Sequence, residues 1–303
     1  MIRDALLRSL AFHRTWGHAP TVAEWISTLD TGDVATSERR PTCVDVDAAV
    51  HALEEEGVVV SHGRVAFAED VDDIGRQRID EAWAPRKRRA VRVAVRLLSR
   101  LSSVRFVALC NTAALGHARD NGDLDLFVVV RQGTIFSTRL LAAALFEALG
   151  RRPRLGRERD AVCLSYFVTD DSLDLSPHML LGEDPYFRYW FLSFVPFYDD
   201  GIGVALWDAN AAITARHPCA RRWMVPPDIR IETPRLRLPV PRSTERLASV
   251  ISTRAFPTRI RGMMNVDTRV MVSPHVLKLH VDDRREDYRN AYEFLCRSKR
   301  LSP

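Results

Sequence analysis

Two short apolar segments that enclose a pair of aspartates constrain the fold of this chain more than any other feature. The run 104–130 reads VRFVALCNTAALGHARDNGDLDLFVVV. It predicts an apolar strand, a polar turn at Asn111 and Thr112, and then a second apolar strand. Asp123 and Asp125 stand at i and i+2 where that second strand begins, so their side chains share one face. The run predicts two strands with paired carboxylates at the strand end.

The two carboxylates predict a binding site for a hard cation. Uncompensated acids beside an apolar strand are costly to bury, and a divalent metal is the simplest compensation. Because Mg²⁺ prefers oxygen ligands, Asp123 and Asp125 are the predicted ligands of Mg²⁺ (or Mn²⁺). In the alternative interpretation, Asn121, Gly122 and Asp123 form a surface turn in which the aspartates cap backbone amides.

The run 104–130 resembles the signature of the DNA polymerase β-like nucleotidyltransferase superfamily, in which a Gly-Ser turn precedes Asp-x-Asp on the next strand. On that pattern Asn111 and Thr112 occupy the turn, and Asp123 and Asp125 occupy the metal-binding acids. The whole chain is similar to bacterial nucleotidyltransferase-domain proteins with an N-terminal winged helix, a long basic helix and a motif like VSPHVLKLHVDDRRE.

The resemblance implies transfer of an NMP group from an NTP, such as ATP, to an acceptor. It implies that Asn111 and Thr112 line the triphosphate turn, and Arg119 is close enough in sequence to offer a phosphate contact. The acceptor expected is RNA, a protein or a small metabolite. Mg²⁺ (or Mn²⁺) would neutralise charge on the transferring group and on the attacking and leaving oxygens.

Two departures from the superfamily pattern favour a second hypothesis. Asn111 stands where glycine is usual, and it places a side chain where phosphate should approach. The next strand, 163–168 (CLSYFV), lacks the usual third carboxylate and has Ser165 there. A nucleotide- or nucleic-acid-binding relative without turnover is therefore the alternative to an enzyme. The acids that could supply the third carboxylate from the strand ends are Asp160, Asp170 and Asp171.

The first 75 residues predict a winged-helix-like module. Apolar periodicity predicts a helix over 2–14, a second helix capped by Thr21, and a third capped by Asp45 or Asp47, before a hairpin that turns at His62-Gly63. The third helix carries Glu54, Glu55 and Glu56, which would repel phosphate, so a structural or protein-contacting module is favoured over a DNA-binding regulator.

Charge and periodicity complete the predicted architecture. Residues 76–101 predict a long helix with an apolar stripe and many arginines, either a solvated face or a nucleic-acid contact. The proline-rich segment 226–241 predicts an extended connector. We therefore expect an α+β protein: a winged-helix-like module at 1–75, a mixed-sheet nucleotidyltransferase core at 76–225, and a connector with a basic helical C-terminal part at 226–303.

The charge and cysteine content limit the class of protein. The net charge of +5 favours anionic partners, and the five dispersed cysteines predict neither disulfides nor a zinc site. The N-terminus does not resemble a signal peptide and no segment is long and apolar enough for a membrane helix, so we expect a cytoplasmic protein without membrane contact.

Two further segments carry chemistry-bearing side chains. The aromatic run 186–200 predicts core packing rather than a platform for stacking bases, with Trp190, Phe191, Phe194 and Phe197 at helical spacing. Near the C-terminus, His280 is a candidate general base or phosphate donor if its segment folds back on the cleft. The simpler interpretation of that segment is a turn in which Asp282 or Asp283 caps a helix.

Overall fold

A computed structural model provides the fold. It describes residues 2–32, 49–50, 52–55, 57–72, 74–75, 82, 84–116, 119–154 and 156–302. The predicted caps at Asp45 and Asp47, Glu56, and the first residues of the predicted basic helix (76–81) lie outside the described residues.

The N-terminal elements follow the predicted order. Thr21 and Glu24 form a capping box at the second helix, with the Thr21 hydroxyl accepting the Glu24 N–H at 3.2 Å. His62 and Gly63 both have positive φ (52° and 74°), which matches the twist of a two-residue hairpin turn. Helical residues at 49–50 and 52–54 precede the hairpin, and the winged-helix assignment stays a prediction. The named elements are α1 (Ile2–Thr15), α2 (Val22–Ser27), β1 (Val58–Ser61) and β2 (Arg64–Phe67).

A six-stranded mixed sheet forms the centre of the molecule and confirms the α+β class. Its strands are β3 (Val104–Leu109), β4 (Leu124–Val130), β5 (Val162–Thr169), β6 (Val195–Asp199), β7 (Val270–Val272) and β8 (Val276–Leu279). Their order is β6-β3-β4-β5-β8-β7. Only the pair β4–β5 is parallel among these strands, and every other pair is antiparallel.

Helices cover both faces of the sheet. They are α3 (Ala84–Leu98), α4 (Asn111–Ala114), α5 (Ile135–Ala148), α6 (Pro185–Leu192), α7 (Gly203–Ala209), α8 (Ala211–Thr214), α9 (Glu245–Ala255), α10 (Thr258–Met263) and α11 (Arg285–Ser298). Buried side chains of α3 and α5 pack on one face, and those of α1 and α6 pack on the other. Within the described ranges, no helix has the length and apolar character that a membrane span requires.

The predicted basic helix is shorter than expected at its C-terminal end. Within the described residues it runs from Ala84 to Leu98, with Pro85 in its first turn as predicted. Its apolar stripe, which includes Val91 and Val95, is fully buried, while Arg88 and Arg96 remain exposed. Residues 99–101 leave the helix because Leu101 pairs with Leu238 in an isolated bridge.

The C-terminal part is not only helical, which corrects the expectation for 226–303. The strands β7 and β8 extend the central sheet beyond β5, with Tyr166 opposite Lys278. Strands of three and four residues are too short to leave a periodic signal in the sequence. The connector also contributes to the core, because Ile229, Ile231 and Val240 are buried beside the sheet.

The aromatic run packs in the core, as predicted. Trp190, Phe191, Phe194 and Phe197 are all at most 4% exposed, although Phe197 lies on β6 rather than on a helix. Phe12 of α1 stacks on Tyr189 of α6 with ring centroids 3.9 Å apart. Apolar side chains of the first 67 residues therefore share one hydrophobic cluster with the sheet.

Candidate functional site

A cleft of about 490 Å³ lies where the N-terminal ends of β4 and β5 and the C-terminal end of β8 meet the N-terminal ends of α4, α6 and α11. Of the predicted site residues, Asn111, Asp123 and Asp125 line it, whereas Thr112 and Arg119 are not among its lining residues. Side chains that the sequence did not assign to this site complete the wall, above all Cys163, Tyr186, Lys278 and Arg284.

The parallel pairing of β4 with β5 creates the acidic end of the cleft. Asp125 of β4 pairs with Cys163 of β5, and the next pair along the strands is Phe127 with Tyr166. Between these two pairs β5 therefore contains one residue more than β4. Such a bulge re-aims side chains next to functional sites. One potential ligand atom from each of Asp123, Asp125 and Cys163 lies within 4.8 Å of the other two.

The surroundings of Asp123, Asp125 and Cys163 raise the pKa of all three side chains and so disfavour their ionised forms. Burial, followed by repulsion from Asp125, raises the pKa of Asp123 to about 7. Burial also raises the pKa of Asp125, and burial with repulsion from both carboxylates raises the pKa of the Cys163 thiol. Among the described residues, neither aspartate forms an ion pair. The donor set fits a divalent cation, since two carboxylate oxygens suit Mg²⁺ or Mn²⁺ and a bound cation would reverse the repulsion.

Asn111 holds the carboxylate of Asp125 in place. Its φ of 59° is in the left-handed region, which asparagine tolerates better than most residues other than glycine. Its Nδ2 donates to Asp125 Oδ2 at 2.7 Å, and its Oδ1 accepts a hydrogen bond from the Tyr186 hydroxyl at 3.1 Å. The Asn111 side chain therefore links the acidic cluster to the aromatic wall of the cleft.

The C-terminal motif folds back on the cleft, which was the condition for a role of His280. His280 Nε2 lies 3.1 Å from the Ser165 hydroxyl oxygen. Burial, with the nearby Lys278, lowers the pKa of His280 to about 3, so its imidazole is neutral at physiological pH. Neutral imidazole can accept a proton or a hydrogen bond but offers no positive charge to a phosphate. The helix that follows is α11, and Asp283 Oδ1 accepts the Arg285 N–H at 2.9 Å near its start.

None of the three aspartates proposed as a third carboxylate lines the cleft. Asp160 is paired with Arg86 at 2.8 Å and also contacts Lys87. Asp170 is paired with Arg105, and Asp171 is paired with His275. The neighbouring strand instead presents a thiol and a hydroxyl. The only sequence signal for this was the alternation of Cys163 and Ser165 with apolar residues.

The wall of the cleft contributed by β8, α11 and the turn between them, here called the cationic wall, carries three cationic side chains (Lys278, Arg284 and Arg285) and two carboxylates (Asp282 and Asp283). Burial, followed by repulsion from Arg285, lowers the pKa of Lys278 to about 7. The buried Lys278 Nζ donates to the Thr268 carbonyl oxygen and lies 3.8 Å from Asp283 Oδ2. Arg285 is fully engaged within the fold, with Asp184 at 3.1 Å. Arg284 is largely exposed and lies over the Tyr288 ring at 5.7 Å. One cleft therefore combines a cluster of potential metal ligands with a cationic wall. Comparisons of this chain with protein-family models, with curated proteins and with solved structures find no match.

Proposed function

We propose that this protein is a metal-dependent nucleotidyltransferase that transfers an NMP group from an NTP to an acceptor. The observation that carries the proposal is the shared cleft, which contains Asp123 and Asp125, neither ion-paired with a described residue, together with Lys278 and Arg284. Phosphoryl transfer requires this combination, because cations must neutralise the phosphate oxygens while the reacting groups are held in line. The candidate acceptors are RNA, a protein or a small metabolite.

Each cleft residue has a distinct role in the proposed reaction. Asp123 and Asp125 would hold Mg²⁺ or Mn²⁺, which supplies charge neutralisation at the phosphoryl group. Asn111 orients the Asp125 carboxylate through its 2.7 Å hydrogen bond. Lys278 and Arg284 hold phosphate oxygens as cations. His280 Nε2, which lies 3.1 Å from the Ser165 hydroxyl, would orient an acceptor hydroxyl as a neutral hydrogen-bond partner.

The test is pyrophosphate release from each of the four NTPs with Mg²⁺ or Mn²⁺, in the presence of total cellular RNA and a metabolite pool. Asp123→Asn should reduce release at least about 100-fold, because it removes a direct metal ligand, and even outer-shell changes cost 10–100-fold. Asp171→Asn is the matched control, since Asp171 lies beyond the opposite end of β5 and pairs with His275. Equal release by wild type and Asp123→Asn would exclude the proposed site.

The second candidate is a nucleotide-binding protein of the same architecture that has no turnover. The observation that favours it is the strand beside Asp125, where Cys163 and Ser165 face the cleft and no carboxylate does. Tight NTP binding without pyrophosphate release would support this candidate over the enzyme. The binding should then depend on Lys278 and Arg284 as strongly as on the aspartates.

A further inference from the structure

Cys163 lies in the position of a third ligand to the cation proposed for Asp123 and Asp125. The thiol belongs to β5, and the register places it beside Asp125 of β4. Its sulfur and one oxygen from each aspartate lie within 4.8 Å of one another, and all three residues line the same cleft. The cluster therefore combines two hard oxygen donors with one soft sulfur donor.

A second observation concerns the charge balance of this cluster. Three carboxylates near the ends of the central strands have cationic partners: Asp160 pairs with Arg86, and Asp170 and Asp200 pair with Arg105. Among the described residues, the Asp123 carboxylate has neither an ion pair nor a side-chain hydrogen bond. An external cation would supply to Asp123 the charge balance that the described residues do not provide.

We propose that Cys163 coordinates the cation as a thiolate and that the site prefers a thiophilic divalent ion, of the Zn²⁺ class, to Mg²⁺. The proposal rests on the metal site of the proposed function. Soft thiolate ligands select Zn²⁺ and similar ions, whereas a site made only of carboxylates suits Mg²⁺ and Mn²⁺. Coordination replaces the S–H proton, which leaves to solvent, so cation binding releases a proton.

The distances permit this coordination with little movement. Ligand atoms bound tetrahedrally to Zn²⁺ at roughly 2.0–2.3 Å lie about 3.5 Å apart, so closure by about an ångström suffices. Three protein ligands leave the fourth position open to the cleft, which is the arrangement of catalytic rather than structural zinc sites. The open side is where a phosphate oxygen or a water molecule can bind.

Cadmium is the probe for the thiolate, because its coordination by sulfur gives an ultraviolet charge-transfer band that oxygen ligands do not give. Titration of the full chain with Cd²⁺ should produce this band at one equivalent. Cys163→Ser should abolish the band and weaken Zn²⁺ binding at least about 100-fold, since loss of an outer-shell partner alone costs 10–100-fold. Cys219→Ser is the matched control and should retain both, because Cys219 does not line the cleft.

A second variant keeps the proposal falsifiable if serine perturbs the fold. Cys163→Asp converts the cluster to three carboxylates, so it should gain affinity for Mg²⁺ and lose affinity for Zn²⁺, with retention of the thermal unfolding temperature as the check on folding. Wild type that binds Cd²⁺ without the band, or that binds no cation, would overturn the proposal. Equal Zn²⁺ affinity in Cys163→Ser would do the same.

The cation preference and the transferase activity can fail separately. A Cys163-dependent band without pyrophosphate release under any condition would retain the cation site and remove the enzyme. Mg²⁺-dependent release together with unchanged Cd²⁺ and Zn²⁺ binding in Cys163→Ser would retain the enzyme and remove Cys163 as a ligand.

Discussion

Two clusters of acidic groups lie at opposite ends of the central strands, and they differ in how their charge is balanced. At one end, Arg105 pairs with Asp170 at 3.0 Å and with Asp200 at 3.1 Å. At the other end, Asp123 and Asp125 lie beside Cys163, and among the described residues neither aspartate has an ionic partner. The same sheet therefore contains one cluster with a built-in cation and one cluster without it.

The difference shows what distinguishes a structural acid cluster from a binding site. Carboxylates can be buried when a guanidinium offsets the free energy of their desolvation, and they then need no further cation. Burial without that cation raises the free energy of the ionised state, which a bound metal can recover. The unbalanced cluster also lines the cleft, whereas the balanced one does not.

The largest effect on stability is expected from removing the built-in cation. Arg105→Met would leave Asp170 and Asp200 partly buried without their cationic partner, and unfolding by urea should show a loss of about 2–3 kcal/mol, below the 3–5 kcal/mol of a fully buried pair. Metal binding at the other cluster should not change. A loss below about 0.5 kcal/mol would mean that solvent, not Arg105, balances these carboxylates.

The cationic wall should make nucleotide affinity depend on pH. The pKa of Lys278 is lowered to about 7, so the lysine is protonated below that pH and loses its charge above it. NTP affinity should fall about 10-fold between pH 6 and pH 8.5, which corresponds to about 1.4 kcal/mol. Calorimetric titration of wild type and of Lys278→Met with the same nucleotide separates this effect from protonation of the phosphate itself. If the affinities of the two proteins change with pH in parallel, Lys278 is not responsible. The charged groups that surround Lys278 are Arg285, Asp283, Asp184 and Asp267.

Removal of a charge from the unbalanced cluster should stabilise the protein, whereas removal of the Arg105 charge should destabilise it. The pKa of Asp123 is raised from 3.8 to about 7, so in metal-free protein this group loses stabilisation as pH rises through 7. Asp123→Asn should therefore raise the free energy of unfolding at pH 8 by about 1 kcal/mol, a value reduced by partial solvent exposure. Unfolding in the presence of a chelator at pH 5 and pH 8 measures it. A destabilised variant at pH 8 would show that the carboxylate is already compensated.

The smallest effect concerns a third charged region, the exposed arginines of α3. Arg88, Arg92 and Arg96 line a shallow groove of about 350 Å³ with Asp228. If the acceptor is a nucleic acid held there, Arg88→Ala with Arg96→Ala should reduce the slope of log affinity against log salt by about 2. The double variant Arg246→Ala and Arg254→Ala, on exposed positions of α9, is the charge-matched control. Equal slopes in both double variants would assign the arginines to a solvated face.

Local chemistry in the sequence predicted several elements correctly. The helix cap at Thr21, the hairpin turn at His62-Gly63 and the strands around Asp123 and Asp125 depend on residues close together in the chain. Asn111 was also identified as a turn residue, because tolerance of positive φ is a property of the residue type. These predictions required no knowledge of which strands pair.

Tertiary structure alone decided what surrounds the two aspartates. Cys163 reaches them through parallel pairing of β4 with β5 and a bulge, and Lys278 and His280 reach the cleft because β8 joins the other side of β5. Asp123 and Lys278 line the same cleft although they are 155 positions apart in the sequence. The sequence by itself determined the paired acids and the local turns around them. The fold determined that no described residue forms an ion pair with those acids and that a thiol lies beside them, because burial and strand pairing are properties of the folded chain.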